Sequence, residues 1–239
     1  QVIEKLETMG LITIQNVEEA KEKVIFRSHG VEKETYEKAK QLGLQVIDLT
    51  CPKVLRIHKL ADEYNQKGYH IVYIGDGKHP EVVGTLSYCK GNYSIIEDES
   101  DVDKVIEEIS KKTYTKIVLL AQTTFHLEKY AKILQQLKSK MPENVEFVVE
   151  ETICNATHIR QKETLEIAKQ VDYMIIIGGR KSSNTHKLYE IAKENCKKAI
   201  LIETKNELPL EELKKVNKIG IMAGASTPKE SIQDVINLL

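Results

Sequence analysis

Short aliphatic runs alternate with amphipathic, charge-rich stretches along the whole chain. Runs at 24–28, 45–49, 70–74, 93–96, 116–120, 145–149, 172–177, 199–202 and 218–222 read as strands. Between them, apolar positions recur at helical spacing over 33–42, 53–67, 81–88, 101–111, 126–140, 156–170, a stretch ending at Asn195, and 210–215. Gly43 marks one helix stop, and Pro228 is expected at the first position of a last helix. Strand alternating with helix predicts an α/β fold with small parallel sheets. The chain begins at Gln1 inside an amphipathic pattern, so it is expected to be a fragment.

An internal repeat overlies this pattern. Cys51 and Cys154 each follow a strand and open a helix. His79 stands 28 positions after Cys51, and Ser182 stands 28 after Cys154. Thr123 stands 72 after Cys51, and Ser226 stands 72 after Cys154. Ser28-His29 occupies the loop that Thr123 and Ser226 occupy in their own units. The repeat therefore divides the chain into 1–51, the remainder of a first α/β unit, then 52–151 as a second and 152–239 as a third that lacks its last strand. It predicts three pseudo-symmetric units closing a ring, with another cysteine before residue 1. All these polar residues fall at carboxyl ends of strands, where open α/β sheets bind ligands.

Composition narrows the function. Lysine plus arginine number 35 and aspartate plus glutamate 36, a net charge of −1 that supports neither nucleic-acid nor membrane-surface binding. An anionic ligand must then be met by local groups. Aromatic content is 5% with no Trp, so the core is expected to be aliphatic. No apolar stretch approaches the ~20 residues of a membrane span. Four scattered cysteines suit a reducing cytoplasm better than a disulfide framework.

Free cysteine is ordinarily a small buried hydrophobe, and that reading serves Cys89 and Cys196, which break the repeat. Cys51 and Cys154 keep it, and with the further cysteine that the repeat expects, three thiolates without histidine ligands suit an iron–sulfur cluster better than zinc, which takes four closed ligands when structural. His79 precedes a helix N-terminus, where backbone N–H groups favour anions. Glu81, on the same first turn, is a structural favourite there and also a candidate proton donor. Ser182-Ser183-Asn184 serves equally as a helix cap or an anion site. His58, His70, His126, His158 and His186 have no partner pattern and read as solvated or satisfied histidines.

The chain resembles the LytB/IspH family of 4-hydroxy-3-methylbut-2-enyl diphosphate reductases. The resemblance rests on Ser28-His29-Gly30-Val31, Thr50-Cys51-Pro52, His79-Pro80-Glu81-Val82 with Gly84-Thr85, Gln122-Thr123-Thr124, Cys154 with Ala156-Thr157, Ser182-Ser183-Asn184 and Ala223-Gly224-Ala225-Ser226. Each piece is short; together, in order, they span the chain. The resemblance implies a trefoil of α/β units around one [4Fe-4S] cluster held by three cysteines. Cys51 and Cys154 would be two of these, and the third is absent from this chain. It further implies that His29, His79, Ser182, Ser183, Asn184 and Ser226 surround the substrate diphosphate. Thr123 and Glu81 would contact the substrate hydroxyl, with Glu81 delivering protons. The implied reaction is reductive dehydroxylation to isopentenyl and dimethylallyl diphosphate, with electrons from a carrier such as ferredoxin or flavodoxin.

Two rival readings use the same residues. In a cofactor-independent racemase, Cys51 and Cys154 act as opposed acid and base; the repeat speaks against it by calling for a third cysteine. A non-catalytic phosphate-ligand module needs the polar loops and neither thiol.

Overall fold

The structure, a computed structural model, describes residues 2–239. It comprises two compact units, one of Gln1–Glu97, Glu107–Leu120 and Pro142–Glu150, the other of Asp98–Ile106, Ala121–Met141 and Glu151–Leu239.

The first unit opens with α1 (Val2–Thr8) and a 3-10 turn at Val17–Glu19. There follow β1 (Lys23–Phe26), α2 (Lys33–Gln41), β2 (Gln45–Asp48), α3 (Pro52–Gln66), β3 (His70–Ile74), α4 (Pro80–Leu86) and β4 (Tyr93–Ile96). The last turn of α5 (Val102–Lys111), nearly all of β5 (Lys116–Ala121) and β6 (Glu146–Val149) complete it. β1 and β2 form a parallel pair in which Val24 faces Val46 and Phe26 faces Asp48. The larger sheet has the order β4-β3-β5-β6, with β3–β4 and β5–β6 parallel. Every residue of β3 is buried, as are all of β5 after Lys116, which suits central parallel strands covered on both faces. Ile57, Ala61, Ile71, Tyr73, Val82, Leu86, Val118 and Leu120 form the core against this sheet. On α3 the buried positions are Val54, Ile57, His58 and Ala61, one stripe at helical spacing. Pro52 and Pro80 stand at the starts of α3 and α4, where the missing N–H costs nothing. The edge strand β2 differs from the buried-strand expectation, since all four of its residues are exposed.

The second unit contains the remainder of α5, α6 (Leu127–Lys140), α7 (Asn155–Ala168), β7 (Tyr173–Ile177), α8 (Ser183–Asn195), β8 (Ala199–Ile202), α9 (Leu210–Leu213), β9 (Ile219–Ala223) and α10 (Lys229–Ile236). Its parallel sheet has the order β8-β7-β9, which repeats β4-β3-β5. β7 is buried throughout, with one cluster around Ile175 and Ile177 and another around Met174 and Ile176. Gly220 lets β9 approach closely, for a methyl group there would lie 2.7 Å from Ile167 Cγ2. Pro228 is the N-cap of α10 and not its first helical residue, a shift of one position from the sequence expectation.

A local repeat accompanies the sheets. The backbone N–H groups of Asn16, Asp98 and Thr204 each donate to a carboxylate three residues on, Glu19, Asp101 and Glu207, at 2.7, 3.1 and 3.0 Å. Each pair closes the same reciprocal turn ahead of the strand that delivers a polar loop.

Candidate active site

In the first unit the site starts at the carboxyl end of β1. Gly30 has φ 75°, a left-handed conformation open to glycine, and its N–H bonds Arg27 O at 3.0 Å. That turn presents His29 outward. Beside it, Cys51 N–H donates to Ser28 O at 3.0 Å, fixing the cysteine to the same loop. Cys51 is the N-cap of α3, yet its thiol makes no capping bond and is half-buried. α3 is in turn anchored at the far side, where Tyr64 Oη donates to Glu150 at 2.9 Å and Arg56 pairs with it at 3.3 Å.

His79 caps α4. Its Nδ1 accepts the Glu81 N–H at 3.2 Å, so the ring carries its proton on Nε2 as a donor. The rings of His29 and His79 meet edge to face, with centroids 5.2 Å apart. Burial lowers the pKa of His79, and the His29 charge lowers it further while Asp76 opposes. Partial burial and then Arg27 also lower that of His29, an effect that its exposed face keeps small. Both imidazoles are therefore neutral near pH 7 and offer N–H groups without a fixed charge. Glu81 is buried, with 1% of its surface exposed, on the first turn of α4. The Tyr73 hydroxyl is buried too, and desolvation first, then the Glu81 charge, raise its pKa well above 10.

In the second unit the same backbone bond recurs, Cys154 N–H donating to Thr123 O at 3.0 Å. Cys154 is the N-cap of α7, again with a half-buried thiol that makes no cap. Thr123 is buried at the end of β5. Its neighbours hold the serine loop: Thr124 Oγ1 and Ser183 Oγ lie 3.0 Å apart, and Gln122 Nε2 donates to Thr124 Oγ1 at 3.1 Å and Ser183 Oγ at 3.4 Å. Ser182 Oγ accepts the Thr185 N–H at 3.3 Å as the cap of α8. Asn184 is buried, and neither end of its amide has a protein partner. Such a group is costly unless a ligand completes it. Ser226 is exposed in the loop after β9, next to Thr227, whose Oγ1 donates to Ile177 O at 3.0 Å.

The fold thus gathers His29, Cys51, His79 and Glu81 in one unit, and Thr123, Cys154, Ser182, Ser183 and Asn184 in the other, with Ser226 on a neighbouring loop. Of the other two cysteines, Cys89 is sequestered and Cys196 is half-buried. Cys89 is fully buried, donates to Thr85 O at 3.7 Å, and has its pKa pushed up to about 12 by burial. Cys196 Sγ donates to Val171 O at 3.4 Å. Gln122 and Thr124, which the sequence placed in the Gln122-Thr123-Thr124 motif without a role of their own, hold Ser183. Their signal was the strand end they share with Thr123. One expectation is corrected. His58 is neither solvated nor satisfied, since it is 3% exposed and neither ring nitrogen has a protein partner. His126 is likewise buried with Nδ1 unpartnered, whereas His70 is satisfied by Asn92 and Ser94 at 2.9 and 2.8 Å.

The family described as LytB protein matches residues 1–239. The chain belongs to the LytB family. A 4-hydroxy-3-methylbut-2-enyl diphosphate reductase of Clostridioides difficile is 42% identical over 241 residues, covering 100% of this chain and 84% of that one. The reductase of the same name from Campylobacter fetus is 41% identical over 229 residues, 95% of this chain and 79% of the relative. Among solved structures, the E-1-hydroxy-2-methyl-but-2-enyl-4-diphosphate reductase from Plasmodium falciparum matches with a TM-score of 0.89 at 33% identity, over 99% of this chain and 73% of that one. A second reductase, described as the terminal enzyme of the non-mevalonate pathway, matches at 0.67 and 38% identity, over 99% of this chain and 83% of that one. Among the described residues of this LytB chain, no helix is long and apolar enough to cross a membrane.

Proposed function

We propose that this chain carries the reductive dehydroxylation for which its LytB relatives are named, converting 4-hydroxy-3-methylbut-2-enyl diphosphate to isopentenyl and dimethylallyl diphosphate in the cytoplasm. The observation that carries the reading is the cap of α4. There His79 accepts the Glu81 N–H, its Nε2–H is left as a donor beside His29, and Glu81 is buried one turn into the helix.

In this proposal His29 and His79 donate to diphosphate oxygens through neutral imidazoles, joined by Ser182, Ser183, Asn184 and Ser226. Hydrogen-bond donors, not net charge, then hold the polyanion, which accords with a chain of net charge −1. The Ser183 hydroxyl, held by Thr124 and Gln122, is oriented before the ligand arrives, and the unpartnered Asn184 amide has both ends free to meet it. Glu81 and Thr123 stand at the substrate hydroxyl; Glu81 supplies the proton with which it leaves as water, and a second proton along the same path, with the electron pair, forms the new C–H bond. A carboxyl buried on the first turn of α4 is shielded from bulk water, which suits it to direct proton delivery.

Cys51 and Cys154 fit an iron–sulfur cluster in donor chemistry. Each is a free thiol at the start of a long helix, spent on no internal bond, where the helix dipole favours a negatively charged ligand atom. Among the described residues no three His, Cys, Asp or Glu side chains gather to hold a metal alone. The proposal therefore takes the third cysteine from outside this chain. When bound, a [4Fe-4S] cluster supplies the electron pair, drawn from a ferredoxin- or flavodoxin-type carrier. The shared strand order β4-β3-β5 and β8-β7-β9 supports taking 52–151 and 152–239 as repeats of one unit, with 1–51 the remainder of another.

The test is Glu81→Gln in the holoenzyme. Turnover is expected to fall at least about a hundredfold, in the range of lost general-acid catalysis, with substrate affinity retained. Unchanged turnover removes Glu81 from the reaction.

A further inference from the structure

His58 lies on the buried stripe of α3, seven residues after Cys51, and three features set it apart from a packing residue. Its ring lies nearly flat on Tyr88, with centroids 5.0 Å apart and planes 28° apart. Two glycine backbones close over it. A methyl group at Gly30 would lie 2.7 Å from His58 Cε1, and one at Gly84 would lie 3.5 Å from Nε2. Neither ring nitrogen has a protein partner although the residue is 3% exposed. Burying an imidazole this way is unfavourable compared with an apolar side chain of the same size, so burial by itself gives no reason for a histidine here.

The neighbours supply a reason. Gly30 directly follows His29 and forms the turn that presents it. Gly84 stands three residues after Glu81, so both are on one face of α4. The ring is therefore in contact with the loop of His29, the helix of Glu81 and the helix that Cys51 caps. Thr50, beside Cys51, closes the same space, its Cγ2 3.3 Å from a methyl group at Gly30. We propose that His58 is a positioning residue, a spacer that sets the separation of the His29 loop from the Glu81 helix. Its volume does this, filling a gap that glycine at 30 and 84 leaves open. The inference rests on the reductase reading, since it assigns His58 a role through His29 and Glu81.

The test compares His58→Ala with His58→Leu, which keeps the volume and drops both nitrogens, in the anaerobically purified holoenzyme. Two readouts are taken, kcat and KM for the allylic diphosphate and the dissociation constant for inorganic pyrophosphate. Alanine is expected to lower kcat at least tenfold and to weaken pyrophosphate several-fold, with the melting transition and iron content retained. Leucine is expected to restore both to within about threefold. Should alanine not fold, His58→Val supplies the undersized side chain. A folded alanine or valine variant with unchanged kcat and pyrophosphate affinity overturns the inference, as does leucine failing as badly as alanine. Wild-type protein that binds pyrophosphate but never turns over contradicts the reductase reading instead; the pyrophosphate series then still decides the spacer role of His58.

Discussion

At the residue scale, the site is built on neutral polarity. Each candidate diphosphate donor is an imidazole, a hydroxyl or an amide, and none carries a fixed positive charge. His58 shows how far burial dominates here. Burial holds its pKa at about 4, against a smaller opposing pull from Asp48, whereas an unfolded histidine titrates near ~6.5. The folded state therefore keeps the neutral ring, and its contribution to stability is fully present above pH ~6.5. As pH falls from there towards 4, the unfolded chain takes up the proton first, and about 3 kcal/mol of stability is lost. Urea midpoints at pH 7 and 4.5 should separate strongly for the wild type and much less for His58→Leu. Equal separation in both would contradict the dry environment assigned to the ring. The sequence reading missed this residue because a histidine on an apolar helix face looks alike whether satisfied or orphaned. Only the folded surroundings, in which neither ring nitrogen meets a partner, distinguish the two.

At the element scale, the strands were legible because a buried parallel strand leaves a continuous aliphatic run. His70–Ile74, Tyr93–Ile96 and Ala199–Ile202 fall where expected, and β1, β2, β5, β6, β7 and β9 lie within two residues of expectation at each end. The helices that present Cys51 and His79 were legible from the apolar spacing over 53–67 and 81–88. α7 was harder to read in detail, since its buried face is Thr157, Gln161, Thr164 and Ala168. That face is secured by polar bonds. Gln161 accepts from Leu127 N–H at 3.0 Å and donates to Phe125 O at 3.1 Å, so hydrophobic periodicity could not reveal it. Close strand packing was equally hidden. At Gly220 on β9 a methyl group would collide with Met174 Sδ and come within 2.7 Å of Ile167 Cγ2. Gly220→Ala is therefore expected to cost about 1–3 kcal/mol, the usual penalty of overpacking. A lowered urea midpoint with unchanged pyrophosphate affinity is the expected signature; an unchanged midpoint would show that β9 has room to give.

At the scale of the whole molecule, sequence and fold agree through the repeat. Equal spacings from Cys51 and Cys154 reappear as one strand order in two sheets and as one backbone bond, cysteine N–H to the carbonyl of Ser28 or Thr123. Spacing exposes such features because each unit delivers its polar residue at a strand end, and strand ends are where the pattern breaks. The repeat cannot reveal what only three-dimensional packing creates, such as the Gln122-Thr124-Ser183 cluster or the Cys89 thiol shut into the core. The central claim concerns redox chemistry, and one measurement meets it directly. The holoenzyme is purified without oxygen, its iron, sulfide and electron paramagnetic resonance are recorded, and it is then given a chemical reductant and 4-hydroxy-3-methylbut-2-enyl diphosphate. The expected result is an iron–sulfur signal, lost in Cys51→Ser and Cys154→Ser, together with isopentenyl and dimethylallyl diphosphate as products. A folded, colourless protein without iron or sulfide that returns the substrate unchanged would contradict it.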